Sequence, residues 1–196
     1  MKLHERLVMF SDAVFAIAIT ILAIELRPPH AEPDHLAAAL WDMAPKIRSF
    51  AISFAVIGLY WLSHVRLFRW VAEADRILIL LTLLMLALVS FLPFPTAVLG
   101  ESGAPVAIVF YAATVAAAGL VQAAMWGWVW RHPKLRHPAM PPRALLPGLA
   151  RALATALVFA ATIPLAPRHP TAALFAWLAV PPILLAIRLV FCRRPP

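Results

Sequence analysis

Long apolar runs separated by short polar or proline-rich segments make up most of this chain. Six runs, about 7–26, 48–67, 77–99, 105–130, 144–166 and 171–191, approach or exceed the roughly 20 apolar residues that a helix needs to cross a bilayer. Prolines mark their ends, because proline cannot donate a backbone hydrogen bond and breaks a helix. Pro28 and Pro29 close the first run, Pro133 follows the fourth, and Pro164 and Pro167 flank the end of the fifth. The pattern predicts an all-α polytopic membrane protein, one domain over 1–196 with six transmembrane helices. Ahead of the second run, Asp34 is placed to cap a short helix whose Leu36, Leu40 and Met43 share one face. That helix is expected at the outer surface or on the rim of a pore. No internal repeat, phosphate-binding glycine loop or ATPase motif is found.

Composition agrees. Hydrophobic residues make up 63% and charged residues 13%, the latter about half the share in a soluble domain. The single cysteine, Cys192, excludes an internal disulfide and a cysteine metal cluster. The net charge of +8 points to a cytoplasmic excess of Lys and Arg rather than to nucleic acid. With both termini cytoplasmic, Lys2, Arg6, Arg66, Arg69, Arg76, Arg131, Lys134, Arg136, Arg143, Arg151, Arg188, Arg193 and Arg194 fall inside. Only Arg27, Lys46, Arg48 and Arg168 fall outside, together with the acids Glu25, Glu32, Asp34, Asp42 and Glu101. The basic, proline-rich segment 131–143 reads as a topology signal; contact with anionic lipid is the other reading.

The first run holds the most informative chemistry. Ser11 and Asp12 lie a short way into a helix of membrane length. A carboxylate there is unfavourable, by roughly 2.5–3.5 kcal/mol at a helix centre, and so marks a functional site. A signal peptide fits poorly, since its apolar core would not carry Ser-Asp. Further along, Ile17, Thr20 or Ile21, and Ile24 recur at helical spacing and form one stripe, which Phe10 and Ala13 extend. If copies of the helix line a pore, the isoleucines form a dry constriction, Thr20 offers an oxygen to a dehydrating cation, and Glu25 gathers cations at the mouth. The alternative is that the stripe packs against neighbouring helices. Depth groups Asp12 with His64, Trp61 and Thr82 on the next two helices, which makes an Asp12–His64 network the natural partner for the buried carboxylate. Ser11 and Asp12 point about 100° apart, so a hydrolytic triad with His64 is poor. The remaining histidines (His4, His30, His35, His132, His137 and His169) have no metal-ligand spacing. Pro93-Phe-Pro-Thr96 interrupts the outer part of the third run, where freed carbonyls must face either protein or water.

Taken together, these residues resemble the transmembrane protein 175 family of potassium channels in its short prokaryotic form. The family's first-helix signature is an Arg, three variable residues, then Phe-Ser-Asp; here it is Arg6, Phe10, Ser11 and Asp12. Tyr60-Trp61-Leu-Ser-His64-Val-Arg-Leu-Phe68 resembles the second-helix pattern, and Leu92-Pro-Phe-Pro-Thr96 the end of the third. The match covers about residues 3–100. The resemblance implies a passive, potassium-permeable cation channel without a re-entrant filter loop, its pore lined by the first helix, and without a cofactor. One six-helix unit per chain implies a homotetramer in the lipid bilayer. The implied constriction is Ile17 and the implied filter residue Thr20, with Ile21 and Ile24 as further apolar positions. The family's usual Asn early in the third helix appears here as Thr82, a departure that touches the inter-helix network. A proton-conducting pore is one alternative; a non-conducting scaffold or a small transporter is another.

Overall fold

In a computed structural model of the chain, residues 3–27, 29, 32–141 and 144–192 are described. Lys2, Pro28, His30, Arg143, Arg193 and Arg194, used above, lie outside them. The described residues are almost wholly helical: α1 Leu3–Ile24, α2 Leu36–Asp42, α3 Ala44–Phe68, α4 Arg76–Phe91, α5 Pro93–Ser102, α6 Pro105–Arg131, α7 Leu146–Thr162, α8 Pro170–Ala176 and α9 Val180–Cys192. Two pairs act as single crossings. The unit α4–α5 runs from Arg76 to Ser102, and α8–α9, joined by a 3-10 turn, from Pro170 to Phe191. With α1, α3 and α6 they make five helices long and apolar enough to span a membrane. A sixth apolar helix is α7. It has 17 residues, about 25 Å at 1.5 Å per residue, and is shorter than the expected 144–166. The helix stops before Pro164, whose ring cannot take a place in an α-helical ladder, and the chain continues to Arg168 in turns.

Helix starts follow local chemistry. Proline occupies the first turn of α3, α5, α6, α7 and α8, where its missing N–H leaves nothing unpaired. Asp75 caps α4, its carboxylate accepting the Leu78 N–H at 2.8 Å. The expected Asp34 cap on α2 is corrected: α2 begins after His35, and no side-chain bond closes its N-terminus. Asp34 is taken up in a 3-10 turn over Pro33–His35. None of the side chains of α2 is buried, so the short helix rests at the surface as expected.

α6 is the most deeply buried crossing. It packs against α4 and α5 on one side and most extensively against α7 on another. The α6–α7 seam is lined by small residues, which let two backbones approach closely where lipid offers no hydrophobic drive for association. A methyl group at Gly119 would lie 2.9 Å from the Ala156 Cβ and 3.1 Å from its Cα. The Pro93–Pro95 interruption faces protein, not water: Pro93, Pro95 and Thr96 are all buried. There Thr96 donates to the Leu92 carbonyl at 2.7 Å. Its hydroxyl also meets Ser53 of α3 at 2.7 Å, and Ser53 meets the Tyr111 hydroxyl of α6 at 3.0 Å. One buried chain of hydroxyls thus pins three helices at the kink.

At the basic end, two loops clasp each other. The Ala72 N–H donates to the Leu135 carbonyl and the His137 N–H to the Trp70 carbonyl, both at 2.8 Å. The segment after Arg131 is therefore folded back onto the α3–α4 turn, which its composition did not indicate.

Gly119→Ala should lower stability by about 1–3 kcal/mol, since the new methyl meets backbone that cannot swing away. A reduced thermal-unfolding midpoint of the purified protein in detergent checks this.

Candidate functional site

α1 has two distinct faces. Leu7, Ser11, Phe15, Ala18 and Leu22 recur every three or four residues and are buried against the rest of the chain. At about 100° per residue, Arg6, Phe10, Ala13, Ile17, Thr20, Ile21 and Ile24 fall on the opposite side, and all are exposed. Ile17 is 58% and Ile24 68% exposed. Within one chain the stripe is therefore uncovered. The Thr20 hydroxyl donates to the Ile17 carbonyl at 2.8 Å. The hydroxyl proton is thus engaged within the helix, and Thr20 itself is exposed.

Glu25 sits just past the end of α1, exposed, and lines a crevice with Lys46 and Glu101. Lys46 and Glu101 form a surface salt bridge at 3.7 Å.

The polar groups at the other end are arranged differently from the expected Asp12–His64 network. Asp12 lies between the two faces of α1 and is exposed; its carboxylate accepts the Trp61 indole N–H at 2.9 Å. Ser11 is buried and donates to the Leu7 carbonyl of its own helix, and Thr82 likewise to Leu78, both at 2.8 Å. Serine and threonine inside helices commonly bond back in this way. His64 is fully buried, and neither ring nitrogen has a hydrogen-bond partner among the described residues. It packs instead in a row of rings, 4.4 Å from Phe68 and 5.7 Å from Phe15. Of the grouped residues, the structure joins Asp12 to Trp61 and seats His64 against Phe15; it does not join Asp12, His64 and Thr82 into one network.

An uncovered apolar stripe with one hydroxyl, on a first helix carrying Arg6, Phe10, Ser11 and Asp12, is the setting in which relatives become informative. The family model "Endosomal/lysosomal potassium channel TMEM175" matches residues 6–93. A potassium channel of Streptomyces collinus is 38% identical over 139 residues, 68% of each chain. The chain belongs to the TMEM175 family. The crystal structure of a lysosomal potassium-selective channel TMEM175 homolog from Chamaesiphon minutus matches with a TM-score of 0.79 and 28% identity, over 94% of this chain and 97% of that one. The endosomal/lysosomal proton channel TMEM175 of chicken is 28% identical over 133 residues, 66% of this chain and 26% of that much longer protein. The multi-pass helical fold is thus that of TMEM175 proteins, and the structural match extends well beyond the first three crossings.

Two features escaped the reading of the sequence. Asp75 both caps α4 and accepts the Trp128 indole N–H of α6 at 3.0 Å. Its signal was there, an Asp directly before the run Arg76-Ile-Leu-Ile. Trp126 donates to Ser63 at 3.0 Å, tying α6 to α3; no spacing along the chain points to that pair.

Trp61→Phe keeps the ring and removes the bond to Asp12. Stability should fall by about 1 kcal/mol. Asp12→Asn added to it should then lower stability by less than it does alone, and a double-mutant cycle on unfolding midpoints measures this coupling.

Proposed function

We propose that this chain is a potassium-permeable cation channel whose conduction path is lined by the exposed stripe of α1 in a homotetramer. The observation that carries the reading is that one helix buries Leu7, Ser11, Phe15, Ala18 and Leu22 and leaves Ile17, Thr20, Ile21 and Ile24 uncovered. A single chain has no pore of its own along this stripe; copies arranged about an axis would close it into one. The potassium channel of Streptomyces collinus and the potassium-selective homolog of Chamaesiphon minutus support the choice of ion.

In this reading the isoleucines form successive narrow rings. Ile17 and Ile24 are seven residues and so about 10 Å apart along the axis. Rings of branched apolar side chains exclude water and gate by dewetting. Thr20 lies between them and presents oxygen lone pairs, which replace part of the hydration of a passing cation. Glu25 concentrates cations at the outer mouth. The excess of Lys and Arg at the other end of the bundle supports cytoplasmic termini in a bacterial-type inner membrane. In this reading conduction is passive, down the ion's own gradient.

Proton conduction is the second reading, favoured by the chicken relative being a proton channel. It lacks an evident relay here, since His64 is buried among rings and Asp12 is held by Trp61.

Purified protein in liposomes, with opposed potassium, sodium and pH gradients, tests the proposal. The reversal potential should follow potassium. One that follows the proton gradient would overturn potassium conduction as the main activity. Ile17→Ala should raise conductance several-fold by widening and wetting the constriction; unchanged single-channel current would remove α1 from the gate. Thr20→Val keeps the shape and removes the oxygen, so the preference for potassium over sodium should drop, read as a shift of the bi-ionic reversal potential. Cross-linking in native membranes should stop at four chains.

A further inference from the structure

Away from α1, at the basic end of the bundle, four arginines from three crossings converge on one cavity. Arg66 comes from the last turn of α3 and Arg69 from the residue that caps it; Arg151 is on α7 and Arg188 on α9. The cavity measures about 640 Å³. No Asp or Glu lines it among the described residues. A cleft lined by one sign of charge draws in the opposite ion. Guanidinium groups present planar forks of donors that match a phosphate in paired hydrogen bonds.

The cavity also has an inner end. A narrow cleft lined by Arg66, Arg151, Trp126 and Leu184 leads to Gln122 of α6. Gln122 is fully buried, and neither its amide nitrogen nor its oxygen has a hydrogen-bond partner among the described residues. An unpartnered buried amide is unfavourable, so the inner cleft favours small polar groups over hydrocarbon. The remaining walls are apolar. Leu59, Leu184 and Leu185 flank the arginines, and Leu185 is 55% exposed on the outer surface of α9. The site is thus cationic at the level where the bundle meets the headgroups and apolar on the side that meets acyl chains.

We propose that this cavity binds the phosphate headgroup of an anionic phospholipid, with an acyl chain lying along Leu184 and Leu185. Basic pockets between transmembrane helices on the cytoplasmic side bind such headgroups. The bound lipid has a structural consequence. α9 packs chiefly against α7, and a phosphate shared by Arg66, Arg151 and Arg188 ties α9 to α3 as well.

Thermal unfolding of the purified full chain in mild detergent tests this, with phosphatidylglycerol, phosphatidylcholine or inorganic phosphate added. Phosphatidylglycerol should raise the midpoint by about 3 °C or more, a shift expected of a ligand that binds only the folded state. Phosphatidylcholine should not. Arg66→Gln with Arg188→Gln should abolish the shift. A charge-matched control outside the cavity, Arg131→Gln with Lys134→Gln, should retain it. Equal shifts in the two double variants would overturn the proposal, because the lipid would then respond to net charge alone. Inorganic phosphate reproducing the shift would overturn the lipid as occupant and assign the guanidinium cluster to a soluble anion. Arg188→Gln alone, at an exposed position on α9, should lose part of the shift; if it loses none, the cavity is not the site.

Discussion

In hydrocarbon each backbone N–H and C=O must find its partner within the chain, and the whole architecture follows from how helices meet that requirement and then meet each other. Apolar surface gives helices no reason to associate once lipid surrounds them. What remains is close packing and shared polar bonds. Both are visible here. Gly119 against Ala156 brings α6 and α7 to backbone contact. The hydroxyls of Ser53, Thr96 and Tyr111 hold α3, α5 and α6 together where two prolines have thinned the ladder. Their burial explains how a crossing tolerates Pro93 and Pro95 in its outer half: the local weakness is sheltered by protein and stitched by side chains.

The first helix stands apart from this economy of contacts. It is fixed by one face only, and its other face is as apolar as the buried one apart from Arg6 and Thr20. The contrast between the two faces separates anchoring from function along a single element. Family membership and the match to the Chamaesiphon structure supply the frame in which such a face acquires a role.

Much of this was legible before the structure. Period and length gave the apolar helices, five of them of membrane-spanning length, since both depend on strictly local features, and helical geometry alone grouped Ile17, Thr20, Ile21 and Ile24 into one stripe of α1. The signature residues Arg6, Phe10, Ser11 and Asp12 pointed to the family from the sequence itself. Pairings across helices were not legible. Depth placed Asp12 level with His64, but depth says nothing of rotation, and rotation about α3 hands Asp12 to Trp61 and turns His64 toward Phe15 and Phe68. The end of α7 was misjudged because hydropathy continues through Pro164 while helical hydrogen bonding does not. The four arginines were counted as topology signals one by one; their convergence depends on how α3, α7 and α9 pack, which no local pattern encodes.

The bond between Asp12 and Trp61 also bears on how the chain is made. The two residues are separated by 49 positions, so while the first helix leaves the ribosome and enters the membrane its carboxylate has no indole to meet. The many Leu, Ile, Val and Phe of α1 must therefore carry the insertion alone, each contributing a few tenths of a kcal/mol at the helix centre against a larger penalty for Asp. Position helps, because Asp12 lies in the half of α1 nearer its N-terminal, basic end. α1 is thus a sound insertion signal before it meets α3, and its pairing with α3 is an event of assembly rather than of synthesis.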